Sequence, residues 1–448
     1  MTAIIFCSLL IFLVVFSCLF YGSVTILPVT IIETVVCLML LLWLIDMARK
    51  GRLSFLKTGL FFPLLFFFGL VLFQLIPLPI GLIRIISGRT AYLYDNFSPS
   101  GITGDFFTLS IYPNITISEL FKFFAYCGIL FLTINKIETK KQFEWIINTI
   151  VFFGVFVSIF GIIQKYTYAG RVYWFDLPGS AVTPFGPFVN RNNFSGYINM
   201  IIPLTLGCFL ANTSGQKRAI YGISIWIMML ALFLASSRAG MLIFILALLF
   251  MLLLSQLKHS LRINTRILVI YFSLVFMLSI FYVDFRYVFR RFIHIFDDSA
   301  MSVFGHGYSW WDILRIWRDF PFFGTGLGTF GNISSMYKTT SGQSFFTYAH
   351  NDYLQLLSEV GLLGFFCIAS FFIFYFRNLI RMWLNRHNSY VVSLVLGGVA
   401  SIFSMLVYSL LDFNLHIPAN AILFFVIIGL TFRLAYSRFV NINHGILK

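Results

Sequence analysis

Long, unbroken apolar runs separated by short polar stretches set the pattern of this chain. Twelve runs fall at roughly 3–21, 24–46, 58–76, 117–134, 143–165, 194–212, 219–235, 240–256, 267–284, 353–376, 391–411 and 418–434. Each approaches the length of about 20 residues that an α-helix needs to cross a bilayer. The runs are solidly apolar, whereas barrel strands alternate apolar and polar over about 10 residues. A fully apolar span must satisfy its backbone internally, which makes it a helix. The pattern therefore predicts an all-α integral membrane protein with about 12 transmembrane helices. The first two runs also fit a re-entrant pair. Run 3–21 reads as a retained helix, because no basic segment precedes it and no small-residue cleavage pattern follows.

Composition sharpens this. The chain has 448 residues, 59% hydrophobic and 10% charged, against about 25% charged in soluble domains. That excludes soluble enzymes, disordered chains, coiled coils and disulfide-stapled modules. The six cysteines all fall inside apolar runs and read as small packing residues. The net charge of +15 is explained by topology. With the N-terminus inside, the alternating cytoplasmic segments hold most of the Lys and Arg but only Asp46, Glu138 and Glu144 as acids. This asymmetry is the positive-inside pattern and requires no nucleic acid. Two outside segments are long, about 77–116 and 285–352. The second holds Arg286, Arg290, Arg291, Arg315 and Arg318, which suit either an anionic ligand or pairing with Asp297, Asp298, Asp312 and Asp319 of the same loop.

Polar chemistry collects at the outer helix ends. Asn190, Arg191, Asn192 and Asn193 precede one apolar run, and Arg238 sits in the short turn SSRAG. His350 and Asn351 precede another run, and DFNLHIP (412–418) joins the last two. Ionisable groups at membrane depth are costly and are functional candidates. Arg238 also suits snorkelling to headgroups, and one of Asn190 and Asn193 suits a helix cap. His416 reads as an interfacial residue, Glu359 as a hydrogen-bond partner of a neighbouring helix, and GTGLGTF (324–330) as a tight turn. Asp297–Asp298 lacks the further ligands of a metal site, and no Walker, HExxH or GxSxG motif is present.

The run H-N-x9-G-x-x-G at His350, Asn351, Gly361 and Gly364 resembles the signature of the bacterial O-antigen ligase and O-antigen polymerase superfamily. GPFVNRNNFSGYINMIIPL, SSRAG, DILRIWRDFPFFGTGLGTF and SLLDFNLHIPANAILF agree with it in order and side. The resemblance covers about 160–430; earlier residues match in hydropathy alone. It implies N-terminal helices over 1–160 and an O-antigen ligase-like catalytic region over 161–440, including a long periplasmic loop 285–352 between helices 9 and 10. It further implies a GT-C-like glycosyltransferase of the bacterial inner membrane with its active site facing the periplasm, independent of metal and of any cofactor. The donor would be a glycan on undecaprenyl pyrophosphate. The acceptor would be lipid A–core in a ligase, or another lipid-linked repeat in an O-antigen or exopolysaccharide polymerase. One departure stands out: where the family has an arginine four residues before Trp310, this chain has His306, so the second outer-loop arginine is missing or supplied from elsewhere, with Arg286, Arg290 and Arg291 close in sequence.

Chemistry then assigns roles. A sugar pyrophosphate already carries a good leaving group, so the needs are a base for the acceptor hydroxyl and cations for the pyrophosphate. His350 suits the first. Arg191 and Arg238 suit the second, with Asn190, Asn193, Asn351, His306, Arg290 and Arg291 as further substrate-binding candidates. A transporter is the rival, but it would place ionisable groups near the midplane in repeated, broken helices. A metal-dependent glycosyltransferase would want acids in the first outside loop, where Gly22-Ser23-Val24-Thr25 has none.

Overall fold

The structure is a computed structural model, and it describes residues 2–52, 55–56, 58–97, 105–167, 171–174, 183–258, 310–339 and 347–437. The helices in chain order are α1 (Thr2–Leu19), α2 (Ile26–Arg49), α3 (Phe62–Leu75), α4 (Ile80–Ile86), α5 (Gly88–Phe97), α6 (Pro113–Lys136), α7 (Lys140–Thr167) and α8 (Arg191–Ala211). They continue with α9 (Gly215–Ala235), α10 (Arg238–Gln256), α11 (Trp310–Asp319), the single turn α12 (Phe330–Ile333), α13 (Asp352–Leu384), α14 (Ser389–Tyr408) and α15 (Pro418–Tyr436). Among the described residues, nine helices are long and apolar enough to cross a membrane, and two shorter apolar helices cover Ile4–Leu19 and Gly59–Leu75. The chain is a multi-pass, all-α membrane protein. Eleven of the twelve apolar runs coincide with these helices; run 267–284 lies outside the described residues. The first two runs form separate helices, α1 and α2, joined by the left-handed turn Tyr21–Ser23.

The centre of the bundle is α8, α14 and α15, whose side chains are buried almost throughout. Helices have no hydrophobic drive to associate in lipid, so they pack through small residues that let backbones approach. Here α8 and α14 cross at Gly207 and Gly397, where a Cβ on Gly397 would lie 2.6 Å from the Pro203 carbonyl oxygen. Pro203 sits inside α8 without ending it, as neighbouring helices allow in a membrane.

The two ends of the bundle differ. At one end, cations hold helix ends together. Lys136 Nζ and Lys50 Nζ pair with Asp46 at 2.5 and 3.0 Å. Arg433 Nε donates to the Ile137 carbonyl and Arg386 Nε to that of Ala435. The opposite end carries a cap. The strands β1 (Leu78–Pro79) and β2 (Phe106–Phe107) pair antiparallel, with Leu78 opposite Phe107. Helices α4 and α5 pack there around Ile83, Ala91 and Leu109. Amphipathic α11 buries Ile313 and Ile316 against Phe320, Phe330 and Ala349. Arg89 of α5 reaches Asp319 at 3.3 Å, tying the two parts of the cap. Of the outer arginines, Arg315 pairs with Asp312 at 3.6 Å; Arg286, Arg290 and Arg291 lie outside the described residues.

Candidate active site

Two short segments meet under the cap: residues 349–351, leading into α13, and residues 412–416, joining α14 to α15. Asn351 caps α13, its Oδ1 accepting from the Tyr353 and Leu354 amides at 3.1 and 3.0 Å. Its Nδ2 donates to the Leu410 carbonyl at 3.1 Å, and the Asp352 amide donates to that of Ser409 at 2.8 Å. The start of α13 is thus stitched to the end of α14. His350, just before the cap, takes a left-handed backbone (φ +50°), which non-glycine residues adopt rarely and often at functional positions. Its Nδ1 lies 2.9 Å from Oδ1 of buried Asp412. The same carboxylate accepts from the Phe413 amide at 2.9 Å and from Asn192 Nδ2 at 2.9 Å. The Phe413 ring stands edge-on to the imidazole at 4.6 Å. Because Asp412 is an acceptor, the neutral ring carries its proton on Nδ1, a tautomer assigned from the hydrogen bonding. Nε2 then holds the basic lone pair.

The polar network continues through Asn192. Ser237 Oγ donates to Asn192 Oδ1 at 2.8 Å and lies 3.1 Å from the Tyr408 hydroxyl. This joins the N-termini of α8 and α10. Asn190 caps α8, accepting from the Asn192 amide, and Arg191 is its first residue. Ser237 caps α10, accepting from the Gly240 amide, and Arg238 is its first residue. A helix N-terminus carries partial positive charge, and here each starts with a guanidinium; the first amides of α8 are themselves taken up by Thr183 and Asn190. A third cation joins them. Lys165, at the end of α7, donates to the Leu234 carbonyl at 2.5 Å, just before the SSRAG turn, and lies within electrostatic reach of Arg191.

A second histidine–aspartate pair lies beside the first. His416 Nδ1 contacts Asp352 Oδ1 at 2.8 Å, and its Nε2 lies 3.0 Å from Gln355 Nε2. Gln355 Nε2 also donates to Glu359, while its Oε1 accepts the Ala349 amide at 2.9 Å. His416 is therefore not an interfacial side chain, as the sequence suggested, but a member of a packed network. Glu359 does hydrogen-bond a neighbouring element, as expected: it accepts from the Gly328 and Phe330 amides at 2.7 and 3.2 Å, so it holds the outer turn 324–330 and the start of the single turn α12. That turn is tight, as expected, with positive φ at Gly324, Gly326 and Gly328.

The turn fills a break in α13. Gly361 has φ +63° and ψ −169°, and a Cβ there would lie 2.3 Å from the Phe322 carbonyl carbon, so no other residue fits. Beyond the break, the Leu362 and Leu363 amides donate to the Pro321 and Phe322 carbonyls. Before it, the Ser358 and Glu359 carbonyls accept from the Thr325 and Gly326 amides. These four backbone groups freed by the break are paired by the outer turn, which is how an irregular stretch survives at membrane depth. Broken helices also occur in transporters; this one is closed by protein backbone.

The structure brings His350, Arg191 and Arg238 to one end of the bundle. Asn190 and Asn351 serve as caps. Asn193 is buried, its backbone carbonyl accepting from Asn420 Nδ2 at 3.1 Å. His306, Arg290 and Arg291 lie outside the described residues. Sequence reading missed Asp412, Asn192 and Lys165 as site residues. Lys165 did leave a signal: a lysine at the outer end of an apolar run, against the charge bias. Among the described residues, no group of three or more His, Cys, Asp or Glu is placed to hold a metal ion.

Residues 223–369 match the family model described as O-antigen ligase. No curated protein matches the chain. The match spans SSRAG, the outer turn, His350 and the broken part of α13, about a third of the chain, and it supports the resemblance read from the sequence, that of a membrane enzyme of the O-antigen ligase and polymerase type.

Proposed function

We propose that this enzyme transfers a glycan from undecaprenyl pyrophosphate to a sugar hydroxyl at the periplasmic face of the inner membrane, as an O-antigen ligase with lipid A–core as acceptor. The alternative acceptor is a second lipid-linked repeat, which would make it a polymerase. A full set of twelve spans and a GT-C-like architecture belong to this reading. One observation carries it: a histidine fixed by a buried aspartate beside two joined helix N-termini that each begin with arginine.

His350 Nε2 takes the proton of the acceptor hydroxyl as its oxygen attacks the anomeric carbon. Asp412 holds the ring in orientation and stabilises the imidazolium that forms. The bond from the anomeric carbon to the pyrophosphate oxygen breaks, and Arg191, Arg238 and Lys165 receive the growing charge on the departing pyrophosphate. A guanidinium aimed at such charge acts as a preorganised electrostatic stabiliser. Single displacement inverts the anomeric centre. No step requires a metal. The test is transfer by purified protein from its lipid-linked donor in excess EDTA, with the product linkage read by NMR. Full activity and an inverted linkage are expected. Loss of transfer that Mg²⁺ or Mn²⁺ restores, or a retained configuration, would sink the mechanism.

A further inference from the structure

The hydrogen bonds between the SSRAG turn and the His350–Asp412 pair form a closed ring, and the order of protons around it is forced. An ionised carboxylate only accepts, so Asn192 turns its Nδ2 toward Asp412 Oδ2, 2.9 Å away. Asn192 Oδ1 then faces Ser237 and needs a proton, which Ser237 Oγ supplies at 2.8 Å. With its one proton spent, Ser237 Oγ has only lone pairs to offer. One takes the Gly240 amide at 3.1 Å. The other takes the Tyr408 hydroxyl, also at 3.1 Å, so Tyr408 is the donor. Every bond runs in one sense, from Tyr408 through Ser237 and Asn192 to Asp412, where His350 Nδ1–H arrives from the other side.

Backbone completes the ring. The Asp412 amide donates to the Tyr408 carbonyl at 3.0 Å, so both ends of the side-chain relay sit on one helical turn. Ser237, Tyr408 and Asp412 are buried, and a polar group that loses its partner there bears the cost of desolvation. The SSRAG turn is also seated closely on α8. A Cβ on Gly240 would lie 2.6 Å from Ser195 Cβ, and the Gly240 carbonyl accepts from Asn199 Nδ2 at 2.9 Å. Ser236, just before Ser237, holds a left-handed backbone (φ +56°), a conformation that persists where the surroundings over-determine it. Ser237 is thus held from three sides, and the next residue along the chain is Arg238.

We propose that Ser237 is a positioning residue, backed by Tyr408: its hydroxyl locks the turn that carries Arg238 to the aspartate that orients His350, so that the leaving-group cation and the base keep one mutual geometry. Its effect on turnover rests on the glycosyl-transfer reading above; the mechanical link from Ser237 to His350 does not.

The experiment uses the full chain in nanodiscs. Ser237→Gly removes the hydroxyl and leaves a residue that is itself tolerated as an N-cap. Per folded molecule, kcat should fall about tenfold, the low end of the range for an imidazole whose supporting partners are disturbed. Donor KM should rise as well, because Arg238 is carried by the same turn. A double-mutant cycle separates positioning from simple stabilisation. In an Asp412→Asn background, Ser237→Gly should cost no more than about twofold in kcat, since the carboxylate through which it acts is gone. The same tenfold loss in both backgrounds, or a lower yield of folded protein with kcat unchanged, would overturn the proposal. Should Ser237→Gly fail to fold, Tyr408→Phe enters the same cycle, with an expected loss of about threefold for one hydrogen bond. Isotope-labelled histidine gives a readout without turnover. The His350 Nδ1–H resonance, identified by its absence in His350→Gln, should shift in Ser237→Gly. A shift in a protein that transfers no glycan would leave the link standing and remove the transferase reading. Transfer by the wild type, with resonance and kcat both unchanged in Ser237→Gly, would remove the positioning role and leave the transferase standing.

Discussion

His350 and His416 invite comparison, because each bonds an aspartate through Nδ1 and each takes that aspartate from the other's segment. His350 precedes α13 and pairs with Asp412 of the α14–α15 connection; His416 of that connection pairs with Asp352 of α13. The chemistry is the same and the surroundings are not. His416 has its second nitrogen against Gln355, whose amide is in turn spent on Glu359 and on Ala349. Ala349 is the residue before His350, so the second pair splints the backbone of the first. The aspartate of His350 is held by Asn192, the residue that also joins the helix ends beginning with Arg191 and Arg238. A histidine–aspartate pair is therefore not a function in itself. On the proposed reading, the pair joined to the arginine-bearing helix ends moves a proton, while the pair in a saturated network holds segments together.

The sharpest way to break the comparison is to remove the basic nitrogen. His350→Gln keeps a hydrogen-bonding side chain but cannot take a proton at neutral pH. Turnover per folded molecule should fall about 10²-fold or more, while binding of the lipid-linked donor, measured by its protection from phosphatase, stays near wild type. Turnover above about half of wild type would remove His350 as the base.

Asp412→Asn should come next. The amide no longer offers a carboxylate to the imidazolium, and its NH₂ can favour the wrong tautomer. A loss of roughly 10–100-fold is expected, the range seen when a metal-bound imidazole loses its partner. Donor binding should stay near wild type while turnover falls. Turnover per folded molecule close to wild type would mean that Asp412 only packs.

Asp352→Asn probes the splint, and should read out differently. Breaking a buried hydrogen bond to a charged group costs about 1.5–3 kcal/mol, visible as a lower unfolding temperature in detergent. Turnover at saturating acceptor should stay within about threefold, with the loss in acceptor KM, as for a ground-state contact. A collapse of kcat comparable to that of Asp412→Asn would erase the distinction between the two pairs.

Much of this was legible in the sequence and some was not, for physical reasons. Apolar length shows helices because the bilayer imposes it, and the helix starts at Arg191, Arg238 and Asp352 were visible as polar residues abutting apolar runs. Gly361 of the H-N-x9-G-x-x-G run could be noticed but not explained, since the backbone it meets, at Phe322 and Phe323, lies some 40 residues earlier in the chain. Asp412 was in view within DFNLHIP, but its pairing with His350 across 62 residues depends on how α13 and α14 dock. His416 was misread for the same reason: a polar residue near a helix end looks interfacial until the segments packed on it are seen.

The smallest expected effect concerns pH and the second pair. Burial works hardest against charging the His416 ring. The Asp352 hydrogen bond and then the Asp352, Glu359 and Glu119 carboxylates outweigh it, so the pKa of His416 lies above the usual histidine value. A group whose folded pKa is raised stabilises the fold fully below its unfolded pKa, near 6.5, and that contribution disappears as pH rises through the folded value. In the neutral ring Nδ1–H donates to Asp352 and Nε2 accepts from Gln355. Charging the ring puts a hydrogen opposite the Gln355 amide, which opposes the carboxylates and keeps the net effect small. Thermal unfolding of the wild type should therefore weaken slightly as pH rises from below 6.5, relative to His416→Gln, which lacks the titrating ring. If the two proteins run parallel across that window, His416 is not charged in the fold, and the second pair holds its segments through hydrogen bonds alone.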